Sequence, residues 1–472
     1  MTGIAAVGAY APWFRITADA FADAWGRFQA SGVEEKALPN ADEDALTMAR
    51  AAAARALDAA DVGGGGVDHL AFATTNPPVE EGDLTARLGA MLGVPADATR
   101  RSFGASTRAG TRALGAALDA APEQGLVVAA DCPEGAPDDE RDHAAGAGAV
   151  ALLVTPDGSA AVVDRAEHAA PYPGTRFRER GSETVDGVDV TGYDRSAFRE
   201  PIRAAVGALD VDPGAVDAAA VQAPDGGLPY RAASAIGVDA GAVEACETVG
   251  TLGDTGAASA PLSLARALAD GHERVLVVGW GGGAGADALV VERDGPVAAS
   301  LALDAGERVG YADYLRRRGV VTSGSPEGGG AYVSLPSWRR TVAQRYRLVA
   351  GRCPDCGALA FPPSGACDDC GALVEYEGVE LPGTGTVEAV TGISQGGAPP
   401  EFAEQQQRSG DFGVAIVAFD GRGGPGGDTV SAPAQVVDGH DLSVGDRVAA
   451  TVRRVYTQEG VTRYGFKVEP VE

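Results

Sequence analysis

The chain reads as alternating stretches of helical and strand-like patterning. Residues 45–61, an alanine-rich run with scattered arginines, predict a strong helix. The apolar run Val67-Asp-His-Leu-Ala-Phe-Ala-Thr-Thr75 predicts a buried strand. Much later a helix at 200–209 leads into Val216-Asp-Ala-Ala-Ala-Val-Gln222, and "Val-Asp" opens both strands at a separation of 149 residues. A second pair keeps that offset: Gly125-Leu-Val-Val-Ala-Ala-Asp131 and Arg274-Val-Leu-Val-Val-Gly-Trp280. Each of these leads to a Gly/Ala-rich partner strand, 145–154 in one case and 281–290 in the other. An alanine-rich helix lies inside each copy, at 111–120 and 257–269. One offset preserved over two strand pairs marks an internal repeat. Residues 1–290 therefore predict two copies of one α/β unit.

The pattern changes beyond residue 320. Residues 322–337, rich in Gly, Ser and Pro, have the composition of a linker. A short helix is predicted at Trp338–Leu348, with Trp338, Val342 and Arg345 along one packing face. After residue 375, short alternating strands are separated by Gly/Pro/Asp turns, at 385–391, 412–419, 444–453 and 464–468. About five such strands point to an OB-type barrel.

Between helix and barrel stand Cys353-Pro-Asp-Cys356 and Cys367-Asp-Asp-Cys370. Two such knuckles present four thiolates to one tetrahedral Zn²⁺ at about 2.3 Å each. A shell filled by protein ligands leaves no place for water, so the expected role of the zinc is structural. Two disulfides or four unrelated thiols are the alternatives; the spacing and a reducing compartment favour zinc. Only Cys132 and Cys246 lie elsewhere, and both read as small buried hydrophobes.

Composition narrows the partners. The 472 residues exceed one core, and two to four domains are expected. Asp and Glu total 66 against 38 Lys and Arg, a net charge of −28. Only Lys36 and Lys467 are lysines. A dispersed acidic surface nearly without lysine suits a salt-loving cytoplasm, where the Debye length shrinks to about 3 Å at 1 M. GC-rich codon usage would give a similar composition. A net anion offers phosphates no basic stripe, which argues against nucleic acid as a partner. No run of about 18 apolar residues is present, so no membrane span is expected. The first ten residues read as a strand, not a signal peptide. The histidines 69, 143, 168, 272 and 440 are scattered and read as surface or satisfied residues. Asp138-Asp-Glu-Arg-Asp-His143 reads as a solvated loop.

Ser106-Thr-Arg-Ala-Gly-Thr-Arg-Ala-Leu114, Gly253-Asp-Thr-Gly256, Gly281-Gly-Gly-Ala-Gly-Ala-Asp287 and Tyr311-Ala-Asp-Tyr-Leu-Arg-Arg-Arg-Gly319 resemble hydroxymethylglutaryl-CoA synthases. Archaeal members and the related ketoacyl synthases III, of the thiolase superfamily, are the nearest in pattern. The likeness covers about residues 1–320. Pro399-Pro-Glu-Phe402, Val444-Gly-Asp446 and Tyr464-Gly-Phe-Lys-Val-Glu-Pro470 resemble the zinc-ribbon/OB family that accompanies archaeal thiolases and such synthases. The resemblance implies an α/β, duplicated thiolase-type fold followed by a rubredoxin-like zinc ribbon and an OB-type barrel. The expected boundaries are 1–165 and 166–321 for the two halves, 322–337 for the linker, 338–375 for helix plus ribbon and 376–472 for the barrel.

The resemblance also assigns positions. The family nucleophile is a cysteine in Cys-Lys-Ala-Gly-Thr; here Thr107 stands in its place. The family histidine of His-x-Pro-Asn is Gln222, the asparagine of Gly-Asn-Thr is Asp254, and the glutamate falls at or beside Thr75. Claisen-type condensation needs an activated thiolate, oxyanion donors and an acid/base group. All four positions depart together, so the expectation is a non-catalytic body that binds acyl-CoA or CoA and scaffolds a separate catalytic thiolase, as a homodimer or larger assembly. The alternative is an acyltransferase that uses Ser106 or Thr107 as nucleophile, with Gln222 as donor and Asp254 as base. Gly281, Gly282 and Gly283 are candidate substrate-binding residues, since a glycine hairpin lets a ligand approach the backbone closely.

Overall fold

The computed structural model describes residues 2–188, 190–322, 333–394 and 399–471. It divides into two compact units. One comprises Met1–Pro39 and Asp44–Tyr314, the other Asn40–Glu43 and Leu315–Glu472.

The first unit is built on a ten-stranded sheet: β1 (Gly3–Tyr10), β2 (His69–Ala73), β3 (Thr99–Phe103), β4 (Gly125–Asp131), β5 (Gly148–Thr155), β6 (Ala160–Ala169), β7 (Ala218–Val221), β8 (Arg274–Gly281), β9 (Gly285–Arg293) and β10 (Ala298–Ala302). The spatial order is β3-β2-β4-β5-β1-β6-β9-β8-β7, with β10 beside β1. The run β2-β4-β5-β1 is repeated as β7-β8-β9-β6. In each copy the first pair is parallel and the next two are antiparallel. Register confirms the repeat: His69 pairs with Gly125, and Ala218 pairs with Val275, offsets of 149 and 150 residues. Strands β2, β4 and β7 are buried along their whole length, as continuous apolar runs require when both faces are covered.

Three helices cover the sheet in the places expected. Helix α1 (Ala45–Ala59) starts from a capping box, with the Asp44 carboxylate accepting from the Leu46 and Thr47 amides and Thr47 Oγ1 accepting from the Asp44 amide. Helices α2 (Ala109–Ala120) and α3 (Ser259–Asp270) are equivalents, each of 12 residues and offset by 150. They approach closely at Gly110, where any side chain would strike the Ala257 carbonyl and Pro261.

Two expectations in this unit are corrected. The helix placed at 200–209 is Thr191–Val206, with Pro201 inside it, so it begins nine residues earlier and ends three residues earlier. The run Asp138–His143 is not a solvated loop. It leads into a short helix, Glu140–Ala144, whose Asp142 and His143 are buried. Asp142 accepts from Tyr314 OH at 2.8 Å, and Lys36 Nζ donates to its backbone carbonyl. His143 Nδ1 accepts the Gln29 amide at 3.0 Å, and its ring stacks on Phe28. The histidine is thus an interior group, held by partners more than a hundred residues away.

In the second unit, the predicted helix 338–348 is two short helices, Leu335–Arg340 and Val342–Arg347, broken at Thr341. The linker reading falls mostly on residues 323–332, which lie outside the described residues. A three-stranded ribbon follows, with Val349–Arg352 between Leu359–Ala360 and Glu377–Glu380. The barrel strands are β11 (Thr384–Ile393), β12 (Phe412–Asp420), β13 (Thr429–Gln435), β14 (Arg447–Gln458) and β15 (Val461–Pro470), in the order β13-β12-β11-β14-β15. The bond from the Val437 amide to the Val468 carbonyl nearly closes the ring. Strand β13 shows why the alternating pattern was readable: Val430, Ala432 and Ala434 point inward while Thr429, Ser431 and Pro433 point outward. The unit includes the upstream segment Asn40–Glu43, whose Asp42 pairs with Lys467 Nζ at 2.7 Å. Both of the chain's lysines are therefore buried beside an aspartate.

Candidate functional sites

The nucleophile position lies where β8 ends and α2 begins. Ala105, at φ 61, turns the chain into the helix. Thr107 follows, buried, and its Oγ1 donates to the Trp280 carbonyl at 2.6 Å. A hydroxyl held as donor to a backbone carbonyl, with no histidine or carboxylate bonded to it among the described residues, is not activated. Ser106 Oγ is buried without a hydrogen-bond partner among the described residues and abuts Gly281.

Gln222 lies just past β7, 1% exposed, and its amide donates to the Val278 carbonyl. Its Nε2 donates to the Gly256 carbonyl at 2.8 Å, while Oε1 has no partner among the described residues. The donor that the alternative reading needed is therefore engaged by the protein itself. Asp254, 3% exposed, accepts the Gly256 amide on Oδ1 at 2.9 Å and forms an ion pair with Arg176 through Oδ2. It is a paired anion, not a free base.

Thr75 is half-buried and bound to Asp131. Its amide donates to Oδ1 at 2.6 Å and its hydroxyl to Oδ2 at 2.8 Å. Asp131, fully buried at the end of β4, also accepts from Thr74 Oγ1, the Asn76 amide and the Ala257 amide. Burial pushes its carboxyl above the usual range, and the five donors oppose that. Gly256, at φ 53, lies so close that a side chain there would overlap the Asp131 carboxylate.

The four positions are thus one neighbourhood. Thr75 and Gly256 meet at Asp131, Gly256 links Gln222 to Asp254, and Thr107 hangs on Trp280. Asp254 and Trp280 both line a cavity of about 290 Å³ whose walls also carry Arg141, Arg176, Arg195 and Arg231. The segment between β6 and the helix Thr191–Val206 reaches into this neighbourhood. It supplies Arg176 to Asp254, and Arg178 Nη2 donates to the Thr75 carbonyl at 2.5 Å. It also covers the glycines offered as substrate-binding residues. Gly282 faces Arg176, Gly283 faces the Tyr172 carbonyl, and Gly281 faces Ser106 and Arg108. Their lack of side chains serves packing against the chain itself.

Sequence reading missed Arg176, Arg178 and Asp131. The only signals were the basic cluster Arg176-Phe-Arg-Glu-Arg180 in an aperiodic stretch and an acid ending an otherwise apolar strand. Arg108 was also missed. It follows Thr107, is 3% exposed, and bridges Asp287 and Glu167 at 2.8 and 2.7 Å, while Thr111 Oγ1 donates to Asp287. Burial disfavours the thiolate at both remaining cysteines of this unit. Burial pushes the Cys246 thiol up to about 12 and raises Cys132 as well.

In the second unit the four cysteines converge. Their Sγ atoms all lie within 4.8 Å of one another, with Cys353–Cys370 at 3.8 Å and Cys356–Cys367 at 3.6 Å. A tetrahedron with metal–sulfur bonds of about 2.3 Å has edges of about 3.8 Å, so the spacing fits one ion and excludes the disulfide alternative. The two knuckles are copies. The Gly357 and Gly371 amides donate to the carbonyls of Cys353 and Cys367, and both glycines take positive φ, 82 and 72.

Comparison with known proteins follows the same division. Residues 340–375 match the family model described as ChsH2, rubredoxin-like zinc ribbon domain. The hydroxymethylglutaryl-CoA synthase of Methanopyrus kandleri is 31% identical over 343 residues, covering 68% of this chain and 95% of the relative. That of Pyrobaculum neutrophilum is 30% identical, covering 68% and 97%. Among solved structures, MvaS in complex with 3-hydroxy-3-methylglutaryl coenzyme A gives a TM-score of 0.59 at 19% identity, covering 70% of this chain and 94% of that one. The 3-oxoacyl-[acyl-carrier-protein] synthase III from Aquifex aeolicus gives 0.55 at 19% identity, covering 62% and 100%. At such identities these two establish the fold. No helix among the described residues is long and apolar enough to cross a membrane.

Proposed function

The chain belongs to the hydroxymethylglutaryl-CoA synthase family, and from that premise we propose that it is a non-catalytic member which binds acyl-CoA or CoA and scaffolds a separate catalytic thiolase. The observation that carries this reading is the state of the four family positions. The nucleophile is a threonine bound to a carbonyl, the oxyanion donor is a glutamine bound to Gly256, the asparagine is an aspartate paired with Arg176, and the glutamate is a threonine bound to Asp131. Losing one oxyanion donor alone typically costs 10²–10³ in rate, and here the nucleophile is replaced as well.

The relative solved with 3-hydroxy-3-methylglutaryl coenzyme A supports the choice of ligand class, and the cavity beside Asp254 and Trp280 supports a retained binding role. The ribbon supports one structural Zn²⁺ held by Cys353, Cys356, Cys367 and Cys370. Zinc would fix the two knuckles and take no part in chemistry. An assembly built on at least two copies of this chain, in the cytoplasm, completes the proposal.

Purification of the native complex tests it. The expected outcome is a co-purifying thiolase and no covalent acyl adduct on Ser106 or Thr107 after incubation with acetyl-CoA. A chain that purifies alone and condenses acetyl-CoA with acetoacetyl-CoA by itself overturns the reading.

A further inference from the structure

The second unit contains a cationic, aromatic-lined cavity separate from the four cysteines. Its volume is about 360 Å³, within the range of small-molecule sites of roughly 300–1,000 Å³. Phe402, Phe412, Val414, Pro433 and Phe466 line it, with Arg345 on the wall.

Two arginines flank Trp338 beside this cavity. The Arg345 guanidinium lies 3.9 Å from the Trp338 ring centroid and that of Arg463 lies 5.4 Å from it. Trp338 is 6% exposed and Arg463 only 1%. Among the described residues the Arg345 side chain donates from Nε to Thr341 Oγ1 at 2.9 Å, leaving its two terminal nitrogens for another group. Arg463 Nε and Nη2 are buried with no hydrogen-bond partner among the described residues. Among the described residues neither arginine has a carboxylate partner. Burial lowers the Arg345 pKa, and Arg463 adds to that depression against the opposing effect of Tyr456.

The shortage is not one of acid. The chain carries 66 acidic residues to 38 basic ones, and the buried cations Lys36, Arg108 and Lys467 each sit beside a carboxylate. Arg463, the buried one of the two, carries a large desolvation penalty without a counter-ion, and the half-buried Arg345 beside it adds repulsion. Stacking on an indole offsets part of this and leaves the fork of Arg345 free to take a planar anion. The apolar walls ask for hydrocarbon, and the uncompensated guanidinium asks for a carboxylate.

We propose that this cavity binds an amphiphilic carboxylate, a medium-length hydrocarbon chain ended by a carboxylate that pairs with Arg345 while the chain lies against Phe402, Phe412 and Phe466. This is independent of the acyl-CoA reading of the first unit, and neither stands or falls with the other. No bond is made or broken.

The test is calorimetric titration of the full zinc-loaded chain with sodium octanoate, 1-octanol, octylamine and sodium acetate. Octanoate is expected to bind saturably. Octanol and acetate, each lacking one half of the ligand, are expected to bind at least about tenfold more weakly, and octylamine not at all. Arg345→Gln is expected to reduce octanoate affinity by about tenfold or more, with Arg345→Lys between it and the parent chain. Val414→Glu, which places an anion in the cavity wall, is expected to abolish octanoate binding; zinc content and circular dichroism check that each variant is folded. Octanol binding as tightly as octanoate, acetate binding as tightly as octanoate, unchanged octanoate affinity in folded Arg345→Gln, or no octanoate binding by the parent chain would each overturn the proposal.

Discussion

Asp254 and Arg176 provide the sharpest test of how the first unit holds together. The aspartate stands where the family resemblance places a neutral asparagine, and its charge needs a partner that an asparagine would not. Arg176 fills that need: Asp254 is 3% exposed, and the arginine side chain 17%. Removing one partner of a buried ion pair typically costs about 3–5 kcal/mol. Here the aspartate keeps the Gly256 amide and faces a cavity that admits water, so Arg176→Ala should cost about 2–3 kcal/mol. Asp254→Asn leaves the arginine, the more accessible member, at the cavity wall and should cost about 1 kcal/mol. The double variant removes both charges and should also cost only about 1 kcal/mol, a coupling of about 2–3 kcal/mol. Denaturant unfolding followed through Trp280 fluorescence reads the first unit, since that indole borders the same cavity. A double variant as unstable as the sum of the singles, or an Arg176→Ala chain within about 0.5 kcal/mol of the parent, would refute the reasoning.

Other outcomes follow from the geometry. Thr107→Cys alone should give a sluggish thiol, alkylated by iodoacetamide more slowly than free cysteine at pH 8, because the Trp280 carbonyl faces the sulfur and disfavours a thiolate. Each chain should carry one zinc, and strong chelation should open residues 350–375 to protease; Cys356→Ser should show the same cleavage without chelator. Burial, with Lys36 adding to it, pushes His143 below its ordinary pKa, so the folded chain holds that proton less readily than the unfolded one. The His143 contribution is complete above about pH 6.5 and is lost as pH falls through the lower folded value. The first unit's unfolding midpoint should fall as the pH drops from about 6.5 to 5, and the slope should flatten in His143→Phe.

How much of this could be read from the chain depended on how local each feature is. The zinc knot was legible in full because its four ligands lie between residues 353 and 370 and its turns are fixed by two glycines. The duplicated sheet was legible because strand patterning repeats at one offset, and the same offset sets the register of the paired strands. The barrel was legible from period-two alternation. What failed depended on distant partners. Asp142 and His143 looked solvated because nothing nearby in the sequence compensates them; Lys36, Gln29 and Tyr314 do so from 106, 114 and 172 residues away. Helix Thr191–Val206 was placed too late; its Phe198 and Ile202 are buried in one cluster with Leu276 and Trp280, more than 70 residues on.

The site shows the same limit in a form that bears on function. Motif positions located Thr107, Gln222, Asp254 and Thr75, but their state was set by residues no motif contains. Asp254 read alone is a possible base; beside Arg176 it is a counter-ion. Gln222 read alone is a possible oxyanion donor; beside Gly256 its N–H is already committed. Thr107 read alone is a weak nucleophile; beneath Trp280 it is a donor fixed to the backbone. These replacements form a consistent set. A carbonyl facing the nucleophile position suits a hydroxyl donor and opposes a thiolate, and an aspartate at the asparagine position suits an arginine delivered from the 170–190 segment. Returning any single family residue would therefore leave it facing partners arranged for its replacement. On the proposed non-catalytic reading, installing condensation would require several positions, Arg176 among them, to change together.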